Sequence, residues 1–543
     1  MSHLFCKLDG ANKNIRLRKR WLMEKLIERL SGLVNGCITG FDRIVFKGFI
    51  IPLMMAKGAM NFCRINGIRN KDYKDWMMKQ TTHLVTTIDQ YAKDNCGEGI
   101  IPISSWRIRK EELAHQRQET EQIENGLIGV WSCQESAPSF RARYCATSGY
   151  PQLQKYQTRC KHLYFYFDHD EFGFMNIRLQ TWFPYPIQIC LNGRQWLRRS
   201  LEKEQIDFQA RGNKFLHISD YAEAQRLLFK QLDARFVDLL DGFVSVVFPM
   251  FRDVLGPHLS YYWTLWQSEW ASDLIFDSCV ALSPIMDRLL RHAHMTGTST
   301  RVLRYLDRPL TIAGKPYART KGDVITRVMD FNDGLRVRHW VDHNSVKAYN
   351  EQNVLRIETT INDPGQFRVF RHKQGQSPDL PKTRLPLRKG VMDIPLRAKV
   401  SQEVNDRFIT DLSMLQDESP VHELIDQITC RITKKGRRFR ALDPTGKDRC
   451  LLQALCRPEF RISGITNRAL RQKLSDTGFG SGLMDKQLSS KVSRNLQLLR
   501  AHGIIRKLPR QHRYQLTVKG VKLTNMINAF LAASTDTLIK MAA

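Results

Sequence analysis

The C-terminal part of the sequence carries the pattern that most constrains the fold, an amphipathic helix followed by a glycine and two short strands. The predicted helix begins at Asp485 and ends at Arg500. Its apolar residues recur at spacings of four, four and three, which places them on one buried stripe: Leu488, Val492, Leu496 and Leu499. Gly503 is expected to end the helix, because glycine readily takes the left-handed conformation found at helix ends.

Two shorter helices are predicted before this one and a hairpin after it. The first covers Lys447–Leu455, and the second is capped by Thr466-Asn467, because hydroxyl and amide side chains accept hydrogen bonds from the first backbone N–H groups of a helix. The strands IIRKLP and RYQLTV flank Arg510-Gln511-His512. Helices followed by a β-hairpin wing, in this order, are typical of a winged helix-turn-helix.

The segment KVSRNLQLLRAHGIIRKLPRQHRYQLTVKG resembles the MarR-like winged-helix domains. It has their order of a helix, a glycine stop, a strand, a basic wing and a closing LT..G. The resemblance covers only the C-terminal region, and it implies the fold much more specifically than it implies a ligand.

The face of the long helix opposite its apolar stripe is predicted to contact nucleic acid. It presents short hydroxyl, amide and cationic groups, which can reach phosphates and base edges in a major groove: Lys486, Ser490, Ser493, Arg494 and Gln497. The wing adds Arg510, His512 and Arg513 for a flanking backbone. The alternative interpretation is a protein-interaction module, since winged helices also serve that purpose.

The distribution of charge favours a polyanionic partner. Lys and Arg number 84 against 54 Asp and Glu, a formal net charge of +30. From Arg431 to Ala543 there are 24 Lys and Arg against 6 Asp and Glu, a balance of +18. DNA is the first expectation and RNA the second, although a basic surface with no partner is the alternative. Positive charge by itself gives affinity for phosphates, not for a particular base sequence.

The length of 543 residues is too great for one compact core, and 42% hydrophobic with 25% charged residues is ordinary globular composition. We therefore predict an α+β multidomain protein, with mixed α/β N-terminal and central domains and a C-terminal winged helix-turn-helix. The expected regions are an N-terminal α/β domain (1–150), an aromatic sheet with long helices (151–300), a strand-rich central domain (301–416) and the winged helix (431–543).

A cytoplasmic location without a membrane partner is expected. The first residues lack the apolar run of a secretory signal. The most apolar stretch, Leu239–Phe251, is interrupted by Asp241 and is shorter than the ~20 residues of a membrane span. The 12 cysteines include no CxxC pair, which is typical of reduced thiols in a cytoplasm.

Two predicted strands in the central region, SVKAYNEQNVLRIETTIN, carry residues that are candidates for catalysis. They resemble a strand pair in the replication-initiator proteins of rolling-circle plasmids and filamentous phages, with Tyr349-Asn350-Glu351 and Arg356-Ile357-Glu358 at the matching positions. Glu351 replaces the lysine of that pattern. The resemblance implies a tyrosine nucleophile, a divalent metal held by histidine and carboxylate groups, and a covalent phosphotyrosine link to DNA.

Further carboxylates lie outside this strand pair. Asp42, in GFDRIVFKG, is on a predicted strand and is a candidate partner of Glu358 in a two-metal nuclease of RNase H type, which would need a divalent cation such as Mg²⁺. A structural ion pair with an arginine is the alternative. Glu269 and Asp273 are predicted four residues apart on one helix face, where they could share a cation. The candidate catalytic residues are therefore Tyr349, Arg356, Glu358 and Asp42.

The aromatic strands Leu163–Phe167 and Phe172–Phe183 provide a third candidate site. Strict alternation places Tyr164 and Tyr166 on the face opposite the phenylalanines. If exposed, the tyrosine face would form a platform on which single-stranded bases could stack. The alternative is a sheet that uses its aromatic residues as core.

The whole chain resembles a group of bacterial proteins that have no established activity or are associated with mobile elements, and that share GFDRIVFKG, FGFMNIRLQTWFP, QSEWASD and the closing winged helix. Neither a phosphate-binding Gly-rich loop with Lys-Ser/Thr nor a GxSxG motif is present. Three functions remain open: a non-catalytic DNA-binding protein, a metal-dependent DNA-processing enzyme such as a nickase, replication initiator or transposition nuclease, and a structured-RNA-binding protein.

Overall fold

The computed structural model describes residues 33–104, 107–283, 285–286, 289, 299–308, 324–331, 334–373, 375–377, 379–412, 421–434, 436–457, 460, 464–475, 477, 479–508, 512–517, 519–520, 523–524 and 526–527. The chain forms two compact units. The first, called the sheet unit, lies within residues 1–290 and 325–409. The second, called the C-terminal unit, lies within residues 291–324 and 410–543.

The sheet unit is built around one large mixed sheet. Its strands in the first part of the chain are β1 (Val34–Phe49), β2 (Ile101–Pro102), β3 (Gly126–Cys145), β4 (Tyr150–His169), β5 (Gly173–Gln180) and β6 (Ile187–Asn192). A separate hairpin follows, β7 (Phe208–Arg211) with β8 (Lys214–Ile218). The sheet continues with β9 (Tyr262–Phe276), β10 (Val324–Phe331), β11 (Gly334–Val341), β12 (Asn344–Glu351) and β13 (Val354–Ile361).

The strand order is β10-β11-β12-β13-β9-β1-β6-β5-β4-β3-β2. The described register is antiparallel for each neighbouring pair from β11 to β3, and β2 is parallel to β3. β3, in the expected region 1–150, pairs with β4, which lies almost entirely in the expected region 151–300. β13, in the expected region 301–416, pairs with β9 of the region 151–300. Strands from the three regions that we expected within residues 1–416 therefore lie in one continuous sheet. A small hairpin of β14 (Arg368–Arg371) and β15 (Thr383–Pro386) follows.

The segment Tyr262–Phe276 is the main correction to the predicted elements, because it is strand β9 and not part of a helix. Its residues are buried at nearly every position, since the strand is central and both faces of the sheet are covered. Polar residues are scattered through this aromatic-rich segment, so it does not show the strict alternation of a half-buried strand. The predicted helix face shared by Glu269 and Asp273 does not exist.

Helices cover the sheet: α1 (Ala56–Ile65), α2 (Tyr73–Cys96), α3 (Lys110–Thr120), α4 (Gly193–Lys203), α5 (Tyr221–Lys230), α6 (Phe236–Val247), α7 (Phe251–Leu255) and α9 (Ile394–Leu412). The helix between α7 and α9 in the chain, α8 (Ser299–Tyr305), belongs to the C-terminal unit. Asn192 caps α4 by accepting hydrogen bonds from two backbone N–H groups, as a short amide side chain can. No described helix is both long and apolar enough to span a membrane.

Helix α9 fixes the centre of the sheet through two buried polar side chains. Arg397 donates to the Ser268 hydroxyl at 2.9 Å and to the carbonyls of Leu265 and Ile361. Asn405 donates to the carbonyls of β9 and β13 at Trp270 and Ile357. Burial lowers the pKa of Arg397 to about 9. These contacts hold β9 and β13 in place beside β1.

The C-terminal unit contains, after α8, the helix α10 (Val421–Thr429), the hairpin β16 (Ile432–Lys434) with β17 (Arg437–Phe439), the helices α11 (Arg449–Leu455), α12 (Asn467–Ser475) and α13 (Asp485–Ala501), and the hairpin β18 (Ile505–Lys507) with β19 (Tyr514–Leu516). The helices α11, α12 and α13 and the strands β18 and β19 follow one another in the predicted order. The Thr466 hydroxyl accepts from the Ala469 N–H at the start of α12, and Gly503 has a φ of 74° after α13. The predicted stripe is buried at Val492, Leu496 and Leu499.

Candidate metal centre and nucleic-acid interface

Three carboxylates from the central strands of the sheet converge at one point. Asp42 is on β1, Glu269 on β9 and Glu358 on β13, and these strands are neighbours in the order β13-β9-β1. Their oxygen atoms lie within 4.8 Å of one another. The sequence proposed Asp42 and Glu358 as partners, and the structure brings them together and adds Glu269.

A β-bulge in β1 places Asp42 in this cluster. Phe41 pairs with Trp270 and Arg43 pairs with Glu269, so Asp42 is the extra residue between two consecutive partners on β9. A bulge redirects the side chains around it, and bulges are frequent near functional sites. The sequence contains no signal that would locate this bulge.

Glu358 is almost fully buried and has a partner at each oxygen. The Lys347 ammonium lies 2.7 Å from Oε1, and the Tyr349 hydroxyl donates to Oε2 at 3.0 Å. Both partners come from β12, where Lys347 pairs directly with Glu358 in the antiparallel register. Burial and the Glu358 carboxylate raise the pKa of Tyr349 well above its ordinary value. The phenol therefore stays protonated in this arrangement.

Arg356 is fully buried and contacts the cluster through Asp42. Its guanidinium donates to the two oxygens of Asp273 at 2.6 and 2.8 Å, to Asp42 at 3.1 Å and to the Asn213 carbonyl at 2.7 Å. The ion pair with Asp42 is the alternative that the sequence had left open, and it coexists with the carboxylate cluster. Arg356 acts on Asp42 as a positioning residue.

Asp273 belongs to this supporting network and does not share a site with Glu269. Its carboxylate contacts both Arg356 and Arg194, the latter at 3.0 Å. Burial opposes its ionisation, but the two guanidinium groups outweigh that effect and hold the pKa of Asp273 below its ordinary value. The charge on Asp273 is thus compensated by its neighbours.

Glu269 is the carboxylate of the cluster whose charge is compensated least. Among the described residues it forms no ion pair, and the Gln267 amide donates to it at 3.1 Å. Burial and then repulsion from the Glu358 carboxylate raise its pKa. A cation in contact with all three carboxylates would remove this repulsion.

The cluster fits a hard divalent cation in its chemistry and spacing. Mg²⁺ and Ca²⁺ prefer oxygen ligands at about 2.0 to 2.6 Å, so two ligands on opposite sides of one ion are about 4 to 5 Å apart. The carboxylate oxygens are within that spacing. Glu269 was predicted to share a cation with Asp273, and its place beside Asp42 and Glu358 was missed because its segment was predicted as a helix. The signal that could have found it is the presence of two acidic residues, Glu269 and Asp273, inside the aromatic-rich run WTLWQSEWASDLIF.

The residues predicted to contact nucleic acid on α13 lie on its exposed side. The exposed residues are Lys486, Ser490, Ser493, Arg494 and Gln497. Ser493 accepts a hydrogen bond from the Asn467 amide at 2.8 Å, and this contact ties α13 to α12. On the hairpin side, His512 and Arg513 are exposed, whereas Arg510 lies outside the described residues.

The tyrosine platform predicted on β4 is not exposed, which corrects that part of the sequence analysis. Tyr166 is buried against Trp131 and helix α3. The Tyr164 hydroxyl is hydrogen-bonded to Glu135, which also pairs with Arg178. α3 covers this face of the sheet, and a helix cover of this kind could not be read from the alternation of β4 alone.

No protein-family model, curated protein or solved structure matches this chain significantly. The resemblances to MarR-like winged helices and to replication initiators remain predictions from the sequence.

Proposed function

We propose that this protein binds duplex DNA through a winged helix formed by α11, α12, α13 and the β18–β19 hairpin. The observation that carries the proposal is the division of α13 into two sides. Val492, Leu496 and Leu499 are buried in the core of the unit, while the polar and cationic residues of the opposite side are exposed. A helix exposed in this way is free to enter a major groove.

Phosphate contacts are expected to supply most of the affinity. Lys486 and Arg494 on α13 and Arg513 beside the hairpin are exposed cations that can each displace a counterion from the DNA backbone. The Ser490 hydroxyl and the Gln497 amide can form hydrogen bonds with base edges in the groove and would add sequence preference. The excess of 24 Lys and Arg over 6 Asp and Glu after residue 430 supports the same partner.

The test is the affinity of the full chain for a short labelled duplex, measured by fluorescence anisotropy. Replacing Lys486, Arg494 and Arg513 together with glutamine should weaken binding by about tenfold or more, because three backbone phosphates would no longer be neutralised. The matched control replaces Lys57, Lys203 and Lys230, which are exposed cations on helices of the sheet unit. Equal affinities for the two triple variants would refute the proposed surface.

We propose as a second candidate that the sheet unit carries out metal-dependent cleavage of DNA. The observation that favours it is the convergence of Asp42, Glu269 and Glu358 on one point, with Tyr349 hydrogen-bonded to Glu358. The side chains suggested by the sequence for this chemistry come from two distant segments. Their proximity in the fold supports a shared role.

The three carboxylates would hold one divalent cation, which polarises a phosphate oxygen and activates water when bound. Lys347 orients the Glu358 carboxylate through an ion pair, and Arg356 does the same for Asp42. Cleavage forms a bond from water oxygen to phosphorus and releases one ester oxygen as a protonated hydroxyl. We favour water over Tyr349 as the nucleophile, because that phenol is buried and its pKa is raised.

Nicking of a supercoiled plasmid in Mg²⁺ or Mn²⁺ tests this second candidate. Glu269→Gln should abolish nicking, whereas Tyr349→Phe should retain most of it and form no covalent adduct with DNA. The exposed Glu171→Gln is the matched control and should nick at the original rate. Nicking that persists in EDTA or in Glu269→Gln, or no nicking by the unmodified protein, would contradict this function.

A further inference from the structure

A concave groove in the sheet unit is lined by five cationic side chains and by no acidic one. It has a volume of about 700 Å³ and lies between helix α2 and the paired strands β3 and β4. The cations come from the turn before α2, from α2 itself and from both strands: Lys71, Lys74, Arg141, Arg159 and Lys161. No member of this set belongs to the C-terminal unit or to the carboxylate cluster.

These five cations are not neutralised within the described part of the protein. Four are exposed and Lys161 is half-buried, and none forms an ion pair with a described acidic residue. Two acids close by are already engaged: Asp72 pairs with Arg69, and Asp89 pairs with Lys93 at 2.7 Å. Clustered like charges repel one another in the free protein, so a polyanion in the groove would relieve that repulsion.

Aromatic groups line the same groove between the cations. The Arg141 guanidinium lies over the Tyr156 ring at 5.2 Å from its centroid. Trp182 also contributes to the wall, and its indole N–H makes no hydrogen bond to any described residue. Cations that follow a phosphate backbone, together with aromatic rings for bases, are the combination by which proteins hold single-stranded nucleic acid.

From this lining we infer that the groove binds single-stranded DNA. A half-open groove of about 700 Å³ is of a size to take a short stretch of one strand. The inference goes beyond duplex binding by α13, because it concerns a different surface in a different unit, and it does not require cleavage by the carboxylates. The single-stranded ligand would be held by its phosphates, with Tyr156 and Trp182 contacting bases.

The experiment measures binding of fluorescein-labelled oligothymidylate to the full chain by anisotropy at several salt concentrations. Replacing Arg141 and Arg159 with glutamine should weaken binding by about tenfold. It should also make the slope of log affinity against log salt shallower by about 0.7 for each phosphate that is no longer neutralised. The matched control replaces Lys203 and Lys230, two exposed cations at the ends of α4 and α5. That control should bind like the unmodified protein.

A comparison of two variants separates this groove from the other sites. The triple glutamine variant of Lys486, Arg494 and Arg513 should keep its affinity for oligothymidylate while its affinity for the duplex falls. The groove variant should show the converse, with an unchanged circular dichroism spectrum. Oligothymidylate binding that disappears only in the α13 variant would overturn the inference, and so would binding of oligouridylate with no affinity for oligothymidylate.

Discussion

At the scale of single residues, Glu269 makes the clearest prediction about stability. Its pKa is raised by burial and by Glu358, so its carboxyl group binds a proton more tightly in the folded than in the unfolded chain. The stability contributed by this group is fully present below pH 4.5, the ordinary value, and is lost as the pH rises through the raised pKa. Ionisation of Glu269 at neutral pH therefore lowers the free energy of unfolding.

Glu269→Gln removes this destabilising charge. In EDTA at pH 7 the variant should be more stable than the unmodified protein, by about 1.4 kcal/mol for each pKa unit of the shift, and the difference should disappear below pH 4.5. Urea unfolding at a series of pH values measures it. Glu171→Gln, on the surface, is the control and should follow the unmodified protein.

Added Mg²⁺ should make the unmodified protein more stable to unfolding than Glu269→Gln. An ion that binds only the folded state stabilises it by about 2.7 kcal/mol at one hundred times its dissociation constant. The unmodified protein should gain this stabilisation, and Glu269→Gln should gain much less. A variant that is less stable in EDTA at pH 7, or an unmodified protein insensitive to Mg²⁺ and Mn²⁺, would argue for a purely structural charge network.

At the scale of elements, the end of helix α13 depends on Gly503. Its φ is 74°, and a Cβ there would meet no other atom within 4 Å. Gly503→Ala should therefore destabilise the protein by about 1 kcal/mol through backbone strain alone. Gly242→Ala, inside α6 and equally free of neighbouring atoms, should instead be neutral or stabilising by up to about 1 kcal/mol. Thermal unfolding followed by circular dichroism compares them.

Loss of stability in both alanine variants would mean that side-chain crowding, and not the conformation of residue 503, decides the result. Unchanged stability of Gly503→Ala would show that α13 can end without a left-handed residue. The comparison is direct because both substitutions add one methyl group and no charge.

The elements that the sequence predicts well are those set by local interactions. In α13 the apolar spacing, the polar opposite side and Gly503 all lie within one short segment, and the helix has the predicted extent. The strands β12 and β13 were also predicted, because turn residues separate two runs of strand-forming residues. Each of these patterns is complete before any long-range contact forms.

The elements that it predicts poorly depend on distant partners. β9 is buried on both faces because α9 and other helices cover it, and its sequence alone fits a buried helix equally well. The carboxylate cluster is difficult to predict for the same reason. Asp42 and Glu358 are recognisable as strand carboxylates, but they come together only because β9 lies between β1 and β13. The bulge at Asp42 adds a further step that no local pattern specifies.

At the scale of the whole molecule, charge is distributed unequally along the chain. Residues 431–543 carry +18 of the total of +30. The remaining excess includes the five unpaired cations of the groove in the sheet unit. The two proposed sites therefore lie in different units and differ in the ligand proposed for each, a duplex for α13 and a single strand for the groove.

The most direct test of duplex binding by the C-terminal unit is the salt dependence of that affinity. For the full chain, log affinity should fall linearly with log salt, and each neutralised phosphate contributes a slope of about −0.9. Replacing Lys486, Arg494 and Arg513 with glutamine should make the slope less negative by about 2 to 3. A slope that is the same in this variant as in the unmodified protein would contradict the account.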